Sequence, residues 1–291
     1  MAFAVETFAP PAWREAALQA AGARIATFEC GSEAAGAPVV VLLHGLGQWS
    51  DAAWGRLIRH LDPSFRYLAF DWPGFGDSER PAARYDLSYF VRVLGLVADA
   101  AGLDRFGLVG HSLGGCVAAA FAGADIERVT QLALIAPAGF ARTPRFLVYG
   151  LAATFAPALF GWRPSRRFVT RTLRDAVVDP AVLEPSTLER TYQILGETGA
   201  RDAYRRVYAG AVSTFARRKR LHAQWARYRG PVFCAWGRCD RYISAGGLRD
   251  VVRVYPRAST LILERSGHLP MIEEPARLGE ALRPFLAQTS Q

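Results

Sequence analysis

Short apolar runs recur along the chain with helix-patterned stretches between them, and this alternation constrains the fold more than any other feature. Residues 38–43 (PVVVLL), 66–71 (RYLAFD), 105–110 (RFGLVG), 129–136 (VTQLALIA), 231–236 (PVFCAW) and 259–264 (STLILE) are short and rich in β-branched and aromatic residues. Runs of this kind predict strands buried on both faces. Between them, 51–61 and 275–287 are amphipathic and 113–122 is small and apolar throughout. Residues 87–101 place Leu87, Phe90, Leu94, Val97 and Ala101 on one helical face. Strands alternating with helices predict an α/β fold: a mostly parallel central sheet, flanked by helices and joined by right-handed crossovers.

The rhythm breaks between residues 138 and 229. This stretch has helical patterns and many aromatics, among them Phe140, Phe146, Tyr149, Phe155, Phe160, Trp162, Phe168, Tyr192, Tyr204, Tyr208 and Trp225. It holds 17 of the chain's 35 basic residues and only 6 of its 26 acidic ones, so the excess of positive charge lies here. Strands resume directly afterwards, which favours an insertion over an independent domain. The expected organisation is a core of residues 1–137 and 230–291 with a helical cap, or lid, at 138–229.

The net charge is +9, and Lys219 is the only lysine. Arginine used this one-sidedly fits a compositional bias as well as a binding surface. No arginine-rich helix or RNA-binding motif accompanies it, so no nucleic-acid partner is expected. The basic cap leaves peripheral contact with an anionic membrane open. Cys30, Cys116, Cys234 and Cys239 form no C-x-x-C pair and read as free thiols, with neither a disulfide framework nor a zinc site. The N-terminus lacks a basic n-region followed by an apolar h-region, and no 18-residue apolar span occurs, so a cytoplasmic location is the default. Oligomeric state is not legible.

Gly110-His111-Ser112-Leu113-Gly114 is a G-x-S-x-G sequence between an apolar run and a small-residue helix. That is the strand–turn–helix setting of a nucleophile elbow, which holds a serine out at the carboxyl edge of the sheet beside a helix N-terminus. A serine hydroxyl is a weak nucleophile without a base. Of five histidines, His111 adjoins the serine and points elsewhere, His60 ends a surface helix, His222 lies by a basic run and His44 ends the first strand. His268, in Ser266-Gly267-His268 after the last strand, remains as the base. Asp240, in the loop after 231–236, is the strand-end acid that would orient it, and Ser…Asp…His is the order this elbow uses. Oxyanion donors are expected from the backbone N–H groups of Leu113 and of Leu46, in the glycine-rich loop after His44.

In these stretches the chain resembles the α/β-hydrolase superfamily: HGLGQWSDAAW at 44–54, DWPGFGDS at 71–78, GHSLGG at 110–115, GRCDRYIS at 237–244 and SGHLPMIEEP at 266–275. The likeness spans roughly residues 23–287. It implies a triad of Ser112, Asp240 and His268, a second oxyanion amide from Leu46, and a cap over the site. It further implies structural turn roles for Asp71, Gly74, Gly76 and Asp77, and a loop-shaping role for His44. Ser112 argues against dehalogenases of similar architecture, which carry aspartate at the elbow. The mechanism expected is attack by Ser112, proton transfer through His268 and hydrolysis of an acyl-enzyme, with no metal or organic cofactor.

An aromatic, aliphatic cap suggests a small-molecule ester with an apolar acyl or aryl group. Pro137-Ala138-Gly139-Phe140 resembles the start of the cap in monoacylglycerol-lipase-like members. The alternatives are C–C bond hydrolysis of a diketone or dienoate, with cap arginines holding a carboxylate, and a non-catalytic ligand-binding protein of the same fold.

Overall fold

The computed structural model describes residues 13–141 and 165–288. The expectations for Phe146, Tyr149, Phe155, Phe160 and Trp162 lie outside those residues. In chain order the strands are β1 (Arg14–Ala20), β2 (Ala23–Gly31), β3 (Val39–Leu43), β4 (Arg66–Phe70), β5 (Phe106–His111), β6 (Val129–Ile135), β7 (Val232–Gly237) and β8 (Ser259–Leu263). They form one sheet of order β1-β2-β4-β3-β5-β6-β7-β8. From β4 to β8 all neighbours are parallel, whereas β2 pairs antiparallel with both β1 and β4.

Each of the six apolar runs is a strand, shifted by at most a residue or two. The sequence reading assigns no strand before residue 38, and the structure corrects it with the β1–β2 hairpin. Its two-residue turn, Ala21-Gly22, has positive φ at both positions (54° and 74°), as a type I′ hairpin requires. Most of β1 is solvent-exposed, so it carries no apolar periodicity. Arg14, paired with Glu29 and Glu33, places charge on that sheet edge. A second correction concerns residues 51–61. Helix α1 covers only Ser50–Trp54, and Ile58–His60 is a 3-10 turn, so His60 ends that turn and not a helix. Trp54, Leu57, Ile58 and Leu61 are all buried. The apolar spacing was therefore a true burial signal, although Gly55, a poor helix former, interrupts the helix.

Alternation along the strands creates a core on each face. Helices α2 (Leu87–Ala100) and α3 (Leu113–Ala124) cover Leu43, Phe70, Leu108 and Leu134. The opposite face packs Leu42, Val109, Ile135 and Ala235 against α1 and the last helix. Burying a side chain such as Phe90, which is fully covered, contributes about 1.5–3 kcal/mol.

After β6 come α4 (Arg166–Asp175), α5 (Pro185–Gly196), α6 (Thr198–Ala216) and α7 (Arg218–Trp225). Then follow α8 (Leu248–Val254), α9 (Pro270–Glu273) and α10 (Pro275–Leu286). Helices α5 and α6 and the chain after α4 touch the loops at the carboxyl ends of β3, β4 and β8. Arg190 pairs with Asp77 and lies 5.1 Å over the Trp49 ring. Ala203 packs where a side chain at Gly74 would sit. The Ala176 carbonyl accepts the His268 N–H at 2.6 Å.

Candidate active site

The turn from β5 to α3 brings strand and helix too close for ordinary side chains. A Cβ on Gly110 would lie 2.5 Å from the Gly114 carbonyl oxygen, and one on Gly114 only 2.1 Å from that of Leu43. Between them Ser112 adopts φ 51°, ψ −112°, a conformation an L side chain rarely takes. Its own backbone secures it: Ser112 N–H donates to Ile135 O at 3.0 Å, and Ser112 O accepts from Cys116 at 3.1 Å and from Ala138 at 2.9 Å.

Across the carboxyl edge, His268 Nε2 lies 3.0 Å from Ser112 Oγ, and its Nδ1 lies 2.8 Å from Asp240 Oδ2. All three residues are buried. A carboxylate only accepts, so Nδ1 carries the proton and the Nε2 lone pair faces the serine hydroxyl. The geometry allows one proton to pass from serine to imidazole, with the resulting cation held against a carboxylate. Asp240 is held on both oxygens. Oδ1 accepts the N–H groups of Tyr242 and Ile243, each at 2.8 Å, and Oδ2 accepts Trp236 Nε1–H at 3.1 Å besides the imidazole. Sequence reasoning did not find Trp236 or Tyr242. Trp236 lies inside an apolar strand, where an indole donor gives no pattern of its own. The Tyr242 ring stands edge-on to His268, with centroids 5.5 Å apart.

The loop after β3 is tied down from beneath. His44 is buried, with Nδ1–H donating to Gly45 O at 2.8 Å and Nε2 accepting from Trp72 N–H at 3.1 Å. Burial lowers its pKa to about 4, so this histidine is a neutral strut and not a second base. Asp71 accepts the backbone N–H groups of Ser50 and Asp77 at 2.7 and 2.9 Å, and burial raises its pKa to about 6. A Cβ on Gly76 would fall 1.9 Å from its carboxylate, so only glycine fits that turn. Above these ties, neither the Leu46 nor the Leu113 N–H meets an acceptor among the described residues. Both side chains are half-buried at the edge of the core.

The remaining histidines are accounted for. His111 is buried beside the serine, and its ring meets Gln48 and the backbone of His268. His222 hydrogen-bonds Gly139 O and stacks on Phe140. The four cysteines are free, with Cys116 and Cys234 buried. Among the described residues no group of three or more His, Cys, Asp or Glu side chains could hold a metal, and no helix is long and apolar enough to cross a membrane.

A profile of the alpha/beta hydrolase fold family matches residues 38–275. The chain belongs to that family. This α/β hydrolase is 28% identical over 282 residues to 2-hydroxymuconate semialdehyde hydrolase of a Pseudomonas species, covering 92% of each chain. It is 27% identical over 267 residues to the dihydrolipoyllysine-residue acetyltransferase component of the acetoin cleaving system of Pseudomonas putida, and spans only 65% of that longer protein. Among solved structures, it superposes on a bacterial membrane phospholipase A, described as a virulence factor, with a TM-score of 0.76 and 30% identity. That match covers 94% of this α/β hydrolase and 86% of the phospholipase.

Proposed function

We propose that this α/β hydrolase is a serine hydrolase that cleaves carboxylic esters with an apolar acyl or aryl group. Ser112 is the nucleophile, His268 the base and then the acid, and Asp240 the group that orients it. Leu46 and Leu113 supply the oxyanion amides, and water releases the acyl group from Ser112. The observation that carries this reading is the continuous hydrogen-bonded chain Ser112–His268–Asp240, with steps of 3.0 and 2.8 Å. Residues 138–229 act as the cap; the contacts of α5 and α6 with the loops after β3 and β4 support that part.

The ester is preferred to C–C cleavage because an anionic dienoate would need an arginine to hold its carboxylate, and the arginines of α5 and α6, the helices that touch the loops after β3 and β4, are all engaged elsewhere. Arg190 is committed to Asp77, Arg205 to Asp202, Arg206 to Ala83 O and Arg201 to the carbonyls of Leu195 and Gly196. The Pseudomonas semialdehyde hydrolase similarity keeps the C–C reaction as the second reading. A panel of p-nitrophenyl esters of increasing chain length, run beside one meta-cleavage dienoate, separates the two. Ser112→Ala should abolish both turnover and labelling by a fluorophosphonate probe. Retention of either at the wild-type level would reject the assignment.

A peripheral membrane contact belongs to the same reading. Arg167, Arg171 and Arg174 are exposed at successive turns of α4, with no acidic partner among the described residues, and Phe168 beside them is 38% exposed. An anionic lipid surface fits that stripe by charge.

A further inference from the structure

His111 is a buried imidazole on the elbow that the proposed chemistry does not use. Its Nε2 lies 2.8 Å from the backbone carbonyl oxygen of His268, and its Nδ1 lies 2.9 Å from Gln48 Oε1. The same Gln48 oxygen accepts the Gly45 N–H at 2.9 Å, immediately before Leu46. A Cβ on Gly45 would stand 2.7 Å from His111 Nδ1, so the bare glycine lets the ring approach. One imidazole and one carboxamide therefore join three segments distant in sequence: the loop after β3, the elbow after β5 and the loop after β8. Neither side chain hydrogen-bonds the Ser112 hydroxyl or the Asp240 carboxylate, so both would act through the groups they hold.

We propose that His111 and Gln48 are positioning residues that set the oxyanion loop and the His268 loop relative to each other. The inference rests on the serine-hydrolase reading above.

A donor count sharpens it. Both partners of the ring are oxygens, which accept, yet a neutral imidazole offers a single N–H. Burial, with the His268 ring 4.8 Å away, holds the His111 pKa well below the ordinary range, so the ring is neutral. Its proton can serve His268 O from Nε2 or Gln48 from Nδ1, but not both. In the first state Gln48 can satisfy Nδ1 only by turning its NH2 towards the ring, which releases the Gly45 N–H. In the second, Gly45 stays tied and the His268 carbonyl loses its donor. Each loop is therefore held at the other's expense: removing His111 unties both, and removing Gln48 unties Gly45 and ends the balance between them.

Three substitutions at one position separate the two ends. His111→Gln places an amide nitrogen near the Nε2 position and keeps the contact with His268 O. His111→Asn places one near Nδ1 and keeps the contact with Gln48. His111→Phe fills the volume and keeps neither. With a p-nitrophenyl ester, His111→Phe should lower kcat roughly 30- to 100-fold, just short of or within the range for losing one oxyanion donor. KM should change less than about threefold, since ground-state binding is untouched. Gln48→Leu should lower kcat similarly, and the double variant should be little worse than either alone, as groups that act as one unit are not additive. His111→Gln and His111→Asn should each recover part of the lost kcat, and the pH at which kcat/KM rises should move in His111→Phe and return in His111→Gln.

A thermal midpoint measured on each variant separates this from a folding defect. If kcat losses merely followed the midpoint, if the two single effects multiplied in the double variant, or if kcat stayed within about threefold of wild type throughout, the strut would be rejected. Wild-type protein that neither turns over esters nor takes up a fluorophosphonate would instead reject the serine-hydrolase reading itself.

Discussion

Ser112 keeps a backbone conformation that costs of order 1–3 kcal/mol, and the neighbouring main chain supplies what holds it there. The room for that turn comes from Gly114, whose missing Cβ would collide with Leu43 O. Gly114→Ala should therefore destabilise the protein by about 4 kcal/mol or more. Urea unfolding of the variant checks this, and a midpoint equal to wild type would contradict it. Asp240 presents a different case, because its Oδ2 accepts two N–H groups, from Trp236 and His268. Asparagine could offer its oxygen or its NH2 there, and an NH2 facing Nδ1 would trap the imidazole in the wrong tautomer. Asp240→Asn should lower kcat by about 10⁴-fold, the scale of losing that tautomer in a Ser-His-Asp protease. Ester kinetics beside a thermal melt would test it: a tenfold loss or less would show that the carboxylate has no orienting role.

Helix α9 is a four-residue element whose last side chain organises the loop before it. Glu273 Oε1 accepts the Val178 N–H, and Oε2 accepts the N–H groups of Gly267 at 2.7 Å and Leu269 at 3.4 Å. One carboxylate thus grips both neighbours of His268 and clamps the chain after α4 onto them. Sequence reasoning passed over it, since an acid five residues beyond the histidine looks like any helix-end glutamate. In Glu273→Gln an NH2 must face one of those N–H groups. The variant should lose about 1–3 kcal/mol of stability and roughly tenfold in kcat, read by denaturant titration and ester assay. Unchanged kcat at full occupancy of the fold would remove the clamp from any account of catalysis.

Over the whole molecule, buried histidines set the response to acid. Burial lowers the pKa of His44 to about 4 and lowers those of His111 and His222 as well. Below about pH 6.5 the unfolded chain protonates these imidazoles while the folded chain does not, so each makes stability fall as pH falls. Asp71, raised to about 6, and Asp51 and Glu273, also raised, act in the opposite sense, because the folded state takes up their protons first. Of these carboxyls Asp71 is the one raised as far as about 6, and it stands against the buried rings of His44 and His111, so the histidines prevail near pH 6. Stability should therefore decline as pH falls from roughly 6.5 to 5. Chemical denaturation across that range measures it, and stability that rose on acidification would overturn the balance. The charge distribution leads to a separate expectation at this scale. Vesicles rich in phosphatidylglycerol should retain the protein at low salt and release it as salt rises, and Arg167→Glu with Arg171→Glu should weaken retention severalfold. Equal retention on zwitterionic vesicles would discard the arginine stripe as a docking face.

The linear chain determined five of the strands through their burial, because a run covered on both faces must be apolar throughout and so is visible without its neighbours. The run at 259–264 is also a strand, but β8 lies at the sheet edge and is largely exposed or half-buried there, against the expectation of burial on both faces. The linear chain also determined the elbow, since G-x-S-x-G between strand and helix is a local steric requirement, and it named Ser112, Asp240 and His268 as residues at strand ends. Only tertiary structure decided that these three side chains stand within hydrogen-bonding distance, because that depends on how β5, β7 and β8 lie side by side. The same holds for β1, whose exposure leaves no pattern to read, and for the partners of the triad. Trp236, Gln48, His111 and Glu273 are ordinary residues in sequence, and they acquire meaning only from the groups that folding brings against them.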